Sequence, residues 1–258
     1  MILHATDTGT GPTVVLLHGL FGMARNLGFL VRTLRGRFRV VALDLRNHGD
    51  SPHESNMRYA TMAADVAETL EHMSIRRPAV IAHSMGGKTA MRLALSGEYD
   101  VGRLCIVDIA PTVYPPRNKP VVDALRTIRL VPGLTRADAD ATLMATIPDP
   151  ALRVFLLQNL VWGQNPHWRV DLDAIEASLP DVEGWDAPPD QSWSGPTLFI
   201  AGGQSAFIEE EHRPTMRTYF PRSRVVTIHD AGHWVHVDNP NAFLGIIEVF
   251  LSDHREVD

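Results

Sequence analysis

The 258-residue sequence predicts a single α/β fold: a mostly parallel central sheet flanked by helices, with a helical cap inserted into it. Three observations carry this. Short runs rich in β-branched residues alternate with helical patterns, the grammar of strands joined by helical crossovers. The runs are apolar throughout, as in strands covered on both faces. One long proline-punctuated stretch breaks the alternation.

The first run, Val14-Val15-Leu16-Leu17, ends at His18-Gly19. Asn26 to Leu34 follows with a helical period in Leu27, Leu30, Val31 and Leu34. Val40-Val41-Ala42-Leu43 ends at Asp44, and Thr61 to Met73 places Met62, Val66, Thr69, Leu70 and Met73 on one helix face. Ala79-Val80-Ile81-Ala82 ends at His83-Ser84, and Gly86 to Leu95 is helical. Leu104-Cys105-Ile106-Val107 ends at Asp108. From Pro111 to Pro196 no convincing strand is legible. Helical pieces are expected at Asp123 to Leu130, Arg136 to Ala145, Ala151 to Leu160 and Leu172 to Leu179. The alternation resumes with Thr197-Leu198-Phe199-Ile200-Ala201 before Gly202-Gly203. Val225-Val226-Thr227-Ile228 then leads to His233, and a helix over Asn241 to Leu251 closes the pattern. The expected division is a core of residues 1-110 and 197-258 with a cap of residues 111-196.

Composition narrows the function classes. A chain of this length buries roughly 75% of its unfolded surface, so it needs no disulfide or metal staple. The single Cys105 excludes an intramolecular disulfide framework. A net charge of −6 argues against a nucleic-acid partner. No apolar run approaches a membrane span, and no secretory signal is visible, so a cytoplasmic protein is expected. Monomer and homodimer both remain open.

The polar residues His18, Asp44, Ser84, Asp108, Ser205 and His233 all follow strand ends, where open α/β sheets bind ligands. Ala82-His83-Ser84-Met85-Gly86-Gly87 is a strand–turn–helix nucleophile elbow, with Ala82 in place of the first glycine. Such a turn exposes the serine hydroxyl; the bland reading of Ser84 is a helix N-cap. His233 then supplies a base in the chain order Ser…Asp…His. His18-Gly19-Leu20-Phe21-Gly22 brings backbone close to that serine. The Leu20 and Met85 N–H groups are the expected oxyanion donors, with Phe21 as runner-up. His83 and His18 are expected to hold turns. His4, His53, His72, His167, His212 and His254 read as surface histidines. A metal pair at His233 and His236 is the minor reading, since no H-E-x-x-H or cysteine cluster accompanies it.

His18-Gly19, Asp44, His83-Ser84-Met85-Gly86-Gly87 and Gly232-His233 resemble the α/β-hydrolase superfamily over nearly the whole chain. Leu45-Arg46-Asn47-His48-Gly49-Asp50-Ser51, Val107-Asp108-Ile109-Ala110-Pro111 and Gly202-Gly203-Gln204-Ser205 narrow the resemblance to the YbfF-type bacterial esterases and related mitochondrial abhydrolases. Most superfamily members carry the triad acid after the strand that here ends at Ala201. This chain has Ser205 there, so Asp108, one strand earlier, is the candidate acid. The resemblance implies that Asp108 and Ser205 both serve His233. Ser205 is expected either to hydrogen-bond His233 or only to shape its loop. Arg46, Asn47 and His48 suggest structural hydrogen bonding.

The expected reaction is acyl transfer through a Ser84 acyl-enzyme, with no cofactor and no metal and with a small-molecule ester or thioester as substrate. A C–C bond hydrolase or cofactor-free perhydrolase would use the same triad. A receptor-like protein with little turnover is the alternative from another class. Phe21, Met23, Trp162, Trp168 and Trp234 are expected to line an apolar pocket. Arg117, Lys119, Arg126 and Arg129 stand against Asp123 alone in a locally basic segment. A solvated helix face explains it blandly; contact with an anionic substrate such as acyl-CoA is the sharper expectation.

Overall fold

The computed structural model describes residues 1–252. In chain order its core strands and helices begin with β1 (Ala5–Thr8), β2 (Thr13–Leu17), α1 (Gly28–Leu34), β3 (Arg39–Leu43), α2 (Tyr59–His72), β4 (Ala79–His83), α3 (Met85–Ser96) and β5 (Arg103–Val107). The intervening stretch holds α4 (Lys119–Arg126), α5 (Arg136–Leu143), α6 (Pro150–Leu156), β6 (Leu160–Val161), β7 (His167–Trp168), α7 (Leu172–Ala177) and α8 (Leu179–Glu183). The chain returns to the core with β8 (Thr197–Gly202), α9 (Arg213–Tyr219), β9 (Ser223–Ile228), α10 (Val235–Asp238) and α11 (Pro240–Ser252).

The main sheet has the order β1-β3-β2-β4-β5-β8-β9. All its pairings are parallel except that of β1 with β3. Strands β2 to β5 are buried along nearly their whole length, as continuous apolar runs require when helices cover both faces. The chain runs from β2 outward to β3, then back past β2 to β4. The order therefore reverses between β2 and β4, and a crevice opens there at the strands' carboxyl ends. His18 follows one of these strands and Ser84 the other.

Several elements depart from the sequence expectation, each for a physical reason. β1 is short and partly polar, with little pattern to announce it, and is fixed only by its antiparallel pairing with β3. β9 is not covered on both faces: it lies at the sheet edge, alternates in burial, and leaves Val226 38% exposed. The stretch between β5 and β8 does contain strands, a two-residue ladder pairing Leu160 with Trp168 and Val161 with His167. Leu160 therefore leaves the expected third helical piece, which is α6 followed by one tight turn. α4 starts earlier than expected because Pro120 fits a helix's first turn, where its missing N–H costs nothing. Pro180 does the same for α8 and splits the fourth piece in two.

This stretch adds no strand to the main sheet, yet its apolar side chains are not a separate core. Val122, Leu125, Leu143, Leu156 and Ile175 join the cluster that contains Leu17, Val80 and Ile106. The other face of the sheet packs Val14, Leu16, Ile81 and Cys105 against Leu30, Phe243 and Ile247. Cys105 is fully buried and its thiol pKa is pushed up by burial, so it is inert.

Asp44 ties the ends of β1 and β3 to the next loop. Its carboxylate accepts from the Ala24 N–H at 2.6 Å and the Asp50 N–H at 3.0 Å, and meets the His4 ring at 2.9 Å. Burial pushes its pKa up, but the two backbone donors together with His18 and His4 hold it below its usual value. Gly49 must stay side-chain-free, because a Cβ there would stand 2.2 Å from the Asp44 carboxyl carbon. Asp44→Ala leaves one buried and one part-buried N–H group unmatched and should cost about 2 kcal/mol of unfolding free energy, read from urea titration. With a depressed folded-state pKa, the wild-type advantage should be full near neutrality and fade as pH falls through that value. An advantage independent of pH would contradict this role.

Candidate active site

Ser84 sits between β4 and α3 with φ of +52°, a left-handed conformation that costs a non-glycine residue on the order of 1–3 kcal/mol. Its neighbours must be small. A Cβ on Gly86 would lie 2.5 Å from the His18 carbonyl, and one on Gly87 would lie 2.6 Å from Ile109. Ala82 fills the first position of the elbow and is buried.

The Ser84 hydroxyl lies 3.1 Å from His233 Nε2, and His233 Nδ1 lies 2.8 Å from Asp108 Oδ2. Asp108 has no solvent exposure and, like Ser84, a positive φ, of +50°. Its N–H donates to the Ile200 carbonyl across the β5–β8 pair, turning the carboxyl group over the end of β8. There the Gly202 N–H donates to Oδ1 at 2.9 Å and the Ser205 hydroxyl donates to Oδ2. Ser205 thus bonds the acid and not the imidazole, and its Oγ also accepts from the Phe207 N–H of its own loop at 3.3 Å. Gly202 is needed for closure, since a Cβ there would stand 2.2 Å from the Gly232 carbonyl. Phe207 stacks on His233 at 4.0 Å, completing the walls around the ring.

Three buried histidines fix the surrounding backbone. His18 Nε2 accepts from the Leu45 N–H at 2.9 Å, so its Nδ1–H donates to the Gly19 carbonyl at 2.8 Å. His48 accepts from the Phe21 N–H at 3.1 Å and leans on the Arg46 carbonyl. His83 contacts the His233 carbonyl through Nε2 at 2.9 Å. Burial lowers the pKa of all three, that of His48 to about 3, so they stay neutral hydrogen-bonding struts near neutral pH. Burial also lowers His236, to about 4; it packs edge-on against His83. Arg46 supports the same loop through a paired bond to buried Asp65 and one to the Asn56 carbonyl. Among the expected surface histidines, His4 is tied to Asp44, and His254 lies outside the described residues.

With its N–H spent on His48, Phe21 is not free to hold an oxyanion. The Leu20 and Met85 N–H groups have no acceptor among the described residues and flank Ser84. The arrangement can therefore move a proton from Ser84 to His233 while Asp108 steadies the imidazolium.

A cavity of about 190 Å³ opens beside Ser84. Phe21 and Trp234 line it; Met23, Trp162 and Trp168 do not. Met23 is buried at the start of the turn before α1. Trp162 lies under Arg136, and Trp168 lines a separate shallow depression with Arg126 and Ile128. Apolar character in the sequence did not reveal where these side chains point. Sequence reasoning also missed Phe207, Tyr114, Lys88 and Glu183, all of which line the cavity. Lys88 and Glu183 look like solvated helix positions until the stretch after β5 covers them.

Among the described residues, two of the four basic residues in the segment are ion-paired. Lys119 pairs with Asp123 and Glu176, and Arg126 with Asp173 and Glu176. The acids of α7 lie some fifty residues further on, so local counting could not see them. Of the segment's basic residues Arg117 lines the cavity, its guanidinium 4.6 Å from the Phe207 ring centre.

Comparison with known proteins bears on the family and the fold. The family model described as alpha/beta hydrolase fold matches residues 12–240. The chain is 36% identical to Esterase YbfF of Escherichia coli (strain K12) over 96% of each chain. It is 40% identical to sn-1-specific diacylglycerol lipase ABHD11 of Xenopus laevis, covering 94% of this chain and 80% of the relative. A solved structure described as a marine microorganism esterase superposes with a TM-score of 0.93 at 32% identity, over 96% of this chain and 99% of the other.

Asp108→Asn should lower kcat by about 10³–10⁴-fold, because the imidazole loses the partner that fixes its tautomer. Ser205→Ala removes one donor to that carboxylate and should cost only about tenfold. Equal, small losses in both variants would sink the assignment of Asp108.

Proposed function

The chain belongs to the α/β-hydrolase fold family, and on that premise we propose that it is a serine hydrolase of carboxylic esters working through a Ser84 acyl-enzyme. The observation that carries the reading is the unbroken hydrogen-bonded chain Ser84–His233–Asp108 at the mouth of a cavity. Ester hydrolysis as such also has the support of relatives named as esterase and lipase.

Ser84 Oγ attacks the substrate carbonyl while His233 Nε2 takes its proton. The carbonyl oxygen, now negative, lies against the Leu20 and Met85 N–H groups, each worth about 3 kcal/mol to the transition state. His233 returns the proton to the departing alcohol oxygen. A water molecule, deprotonated in turn by His233, attacks the acyl carbon and releases the acid and the free serine. Throughout, the buried Asp108 carboxylate accepts the Nδ1–H and offsets the charge on the ring. No step needs a metal or cofactor from this chain's residues.

The substrate class is a small-molecule ester. Thioesters react by the same steps, so a thioester substrate follows from the mechanism equally well. A coenzyme A thioester draws less support, since Lys119 and Arg126 are already paired and only Arg117 reaches the cavity. At about 190 Å³ the cavity falls below the roughly 300 Å³ typical of drug-sized sites, which favours a small group in the inner position. Carbon–carbon hydrolysis and perhydrolysis have no distinguishing feature here. No helix among the described residues is long and apolar enough to cross a membrane.

An alkyl fluorophosphonate should label the wild-type protein at one site, and peptide mapping should place the adduct on Ser84. Ser84→Ala should abolish both label and ester hydrolysis. Labelling that persists in Ser84→Ala, or a wild-type protein that neither labels nor hydrolyses any ester, would overturn the proposal.

A further inference from the structure

Lys88 lies one helical turn beyond Ser84 on α3, and its N–H donates to the Ser84 carbonyl. It is one of two lysines in the chain and is only 1% exposed. A lysine is rarely so buried without a carboxylate partner, because removing its charge from water is costly. No carboxylate lies within ion-pairing distance of this one among the described residues. Glu183 is the nearest acid in kind, but its Oε1 already accepts from the Arg117 N–H, the Asn118 N–H and the Asn118 side-chain amide. The ammonium instead donates to the Gly184 carbonyl at 2.6 Å and the Glu183 carbonyl at 3.3 Å. It also faces the rings of Tyr114 at 4.7 Å and Tyr59 at 5.4 Å.

An ammonium has three N–H donors, and these contacts use two. Among the described residues the third has no acceptor, and Lys88 forms part of the wall of the cavity beside Ser84. The rest of that wall is mainly apolar or aromatic, including Ile109, Val121, Leu152 and Phe155. Arg117 also lines the cavity but is exposed, so Lys88 is the buried charged donor with an N–H to spare, placed to orient a ligand by a polar contact. We propose that Lys88 is a specificity-determining residue that selects esters carrying an acceptor oxygen away from the reacting carbonyl, over esters whose bound part is plain hydrocarbon. Burial pushes the Lys88 pKa down to about 7, with Glu183 and Asp186 opposing, which fits a charge short of partners. A substrate oxygen would supply one.

This inference rests on the serine-hydrolase reading, and two matched substrate pairs test it separately. On the acyl side, p-nitrophenyl hexanoate is compared with p-nitrophenyl 5-oxohexanoate. On the alcohol side, hexyl butanoate is compared with 5-oxohexyl butanoate, with uncatalysed hydrolysis subtracted throughout. Wild-type protein should prefer the oxo ester at least tenfold in kcat/KM on one of the two sides. In Lys88→Met, which keeps the length and loses the donors, that ratio should fall to about one. Lys88→Gln, which keeps a neutral donor, should retain part of it. Wild-type ratios near one in both pairs would overturn the inference whether or not any variant folds. An unchanged ratio in a folded Lys88→Met would show Lys88 to be only a strut under residues 183–184 and would also overturn it. Absence of all ester hydrolysis in the wild type would instead refute the reading beneath it.

Discussion

The buried carboxylate of Asp108 is the interaction around which the rest of the site is arranged. It has no contact with solvent, and each of its oxygens has a protein donor: Gly202 on one, Ser205 and His233 on the other. A buried charge is tolerable only when it is satisfied in this way. Meeting that condition requires three separate turns to converge: the end of β5, the loop after β8 and the loop after β9. Gly202 allows the convergence, because any side chain there would strike the Gly232 carbonyl. His233 is held where it can reach Ser84 because the same carboxylate holds Nδ1.

The second constraint is backbone strain. Ser84 and Asp108 are both non-glycine residues with positive φ, at the ends of neighbouring strands β4 and β5. Each conformation is unfavourable by itself and persists only where packing and hydrogen bonds over-determine it. For Ser84 that support comes from the Val107 carbonyl, which accepts its N–H, and from the small residues around the elbow. For Asp108 it comes from the Ile200 carbonyl and the carboxylate's own donors. The neutral histidines 18, 48 and 83 extend this rigidity into the loops that carry the Leu20 and Met85 amides. The result is a set of donors and acceptors fixed before substrate arrives, the condition for electrostatic stabilisation of a transition state.

What was legible in the sequence was local. Short apolar runs located six of the seven strands of the main sheet and, with them, Ser84, Asp108 and the loops bearing His18 and His233. The resemblance to α/β hydrolases sets an acid after the strand ending at Ala201, and its absence there pointed to Asp108, as the narrower resemblance also implies. Whatever depended on distant partners was hidden. The basic character of Arg117 to Arg129 is reduced because α7 supplies Asp173 and Glu176 to Lys119 and Arg126. Trp162 and Met23 looked like pocket residues because composition does not fix side-chain direction. Lys88 carried no signal in the sequence, since its surroundings come from residues 183–184 and from Tyr59 and Tyr114. For Ser205 the sequence left a bond to His233 and a loop-shaping role open; its bonds to Asp108 and to the Phe207 N–H depend on folded positions.

The central claim is that Ser84 carries the acyl group between two half-reactions. Rapid-quench mass spectrometry of the intact protein during turnover of p-nitrophenyl butanoate tests it most directly. The account predicts a transient mass increase of one butanoyl group per chain, mapped to the peptide containing Ser84, and a matching burst of p-nitrophenol. Product formed by the wild-type protein with no adduct at any quench time and no burst, under conditions where deacylation is the slower step, would contradict it.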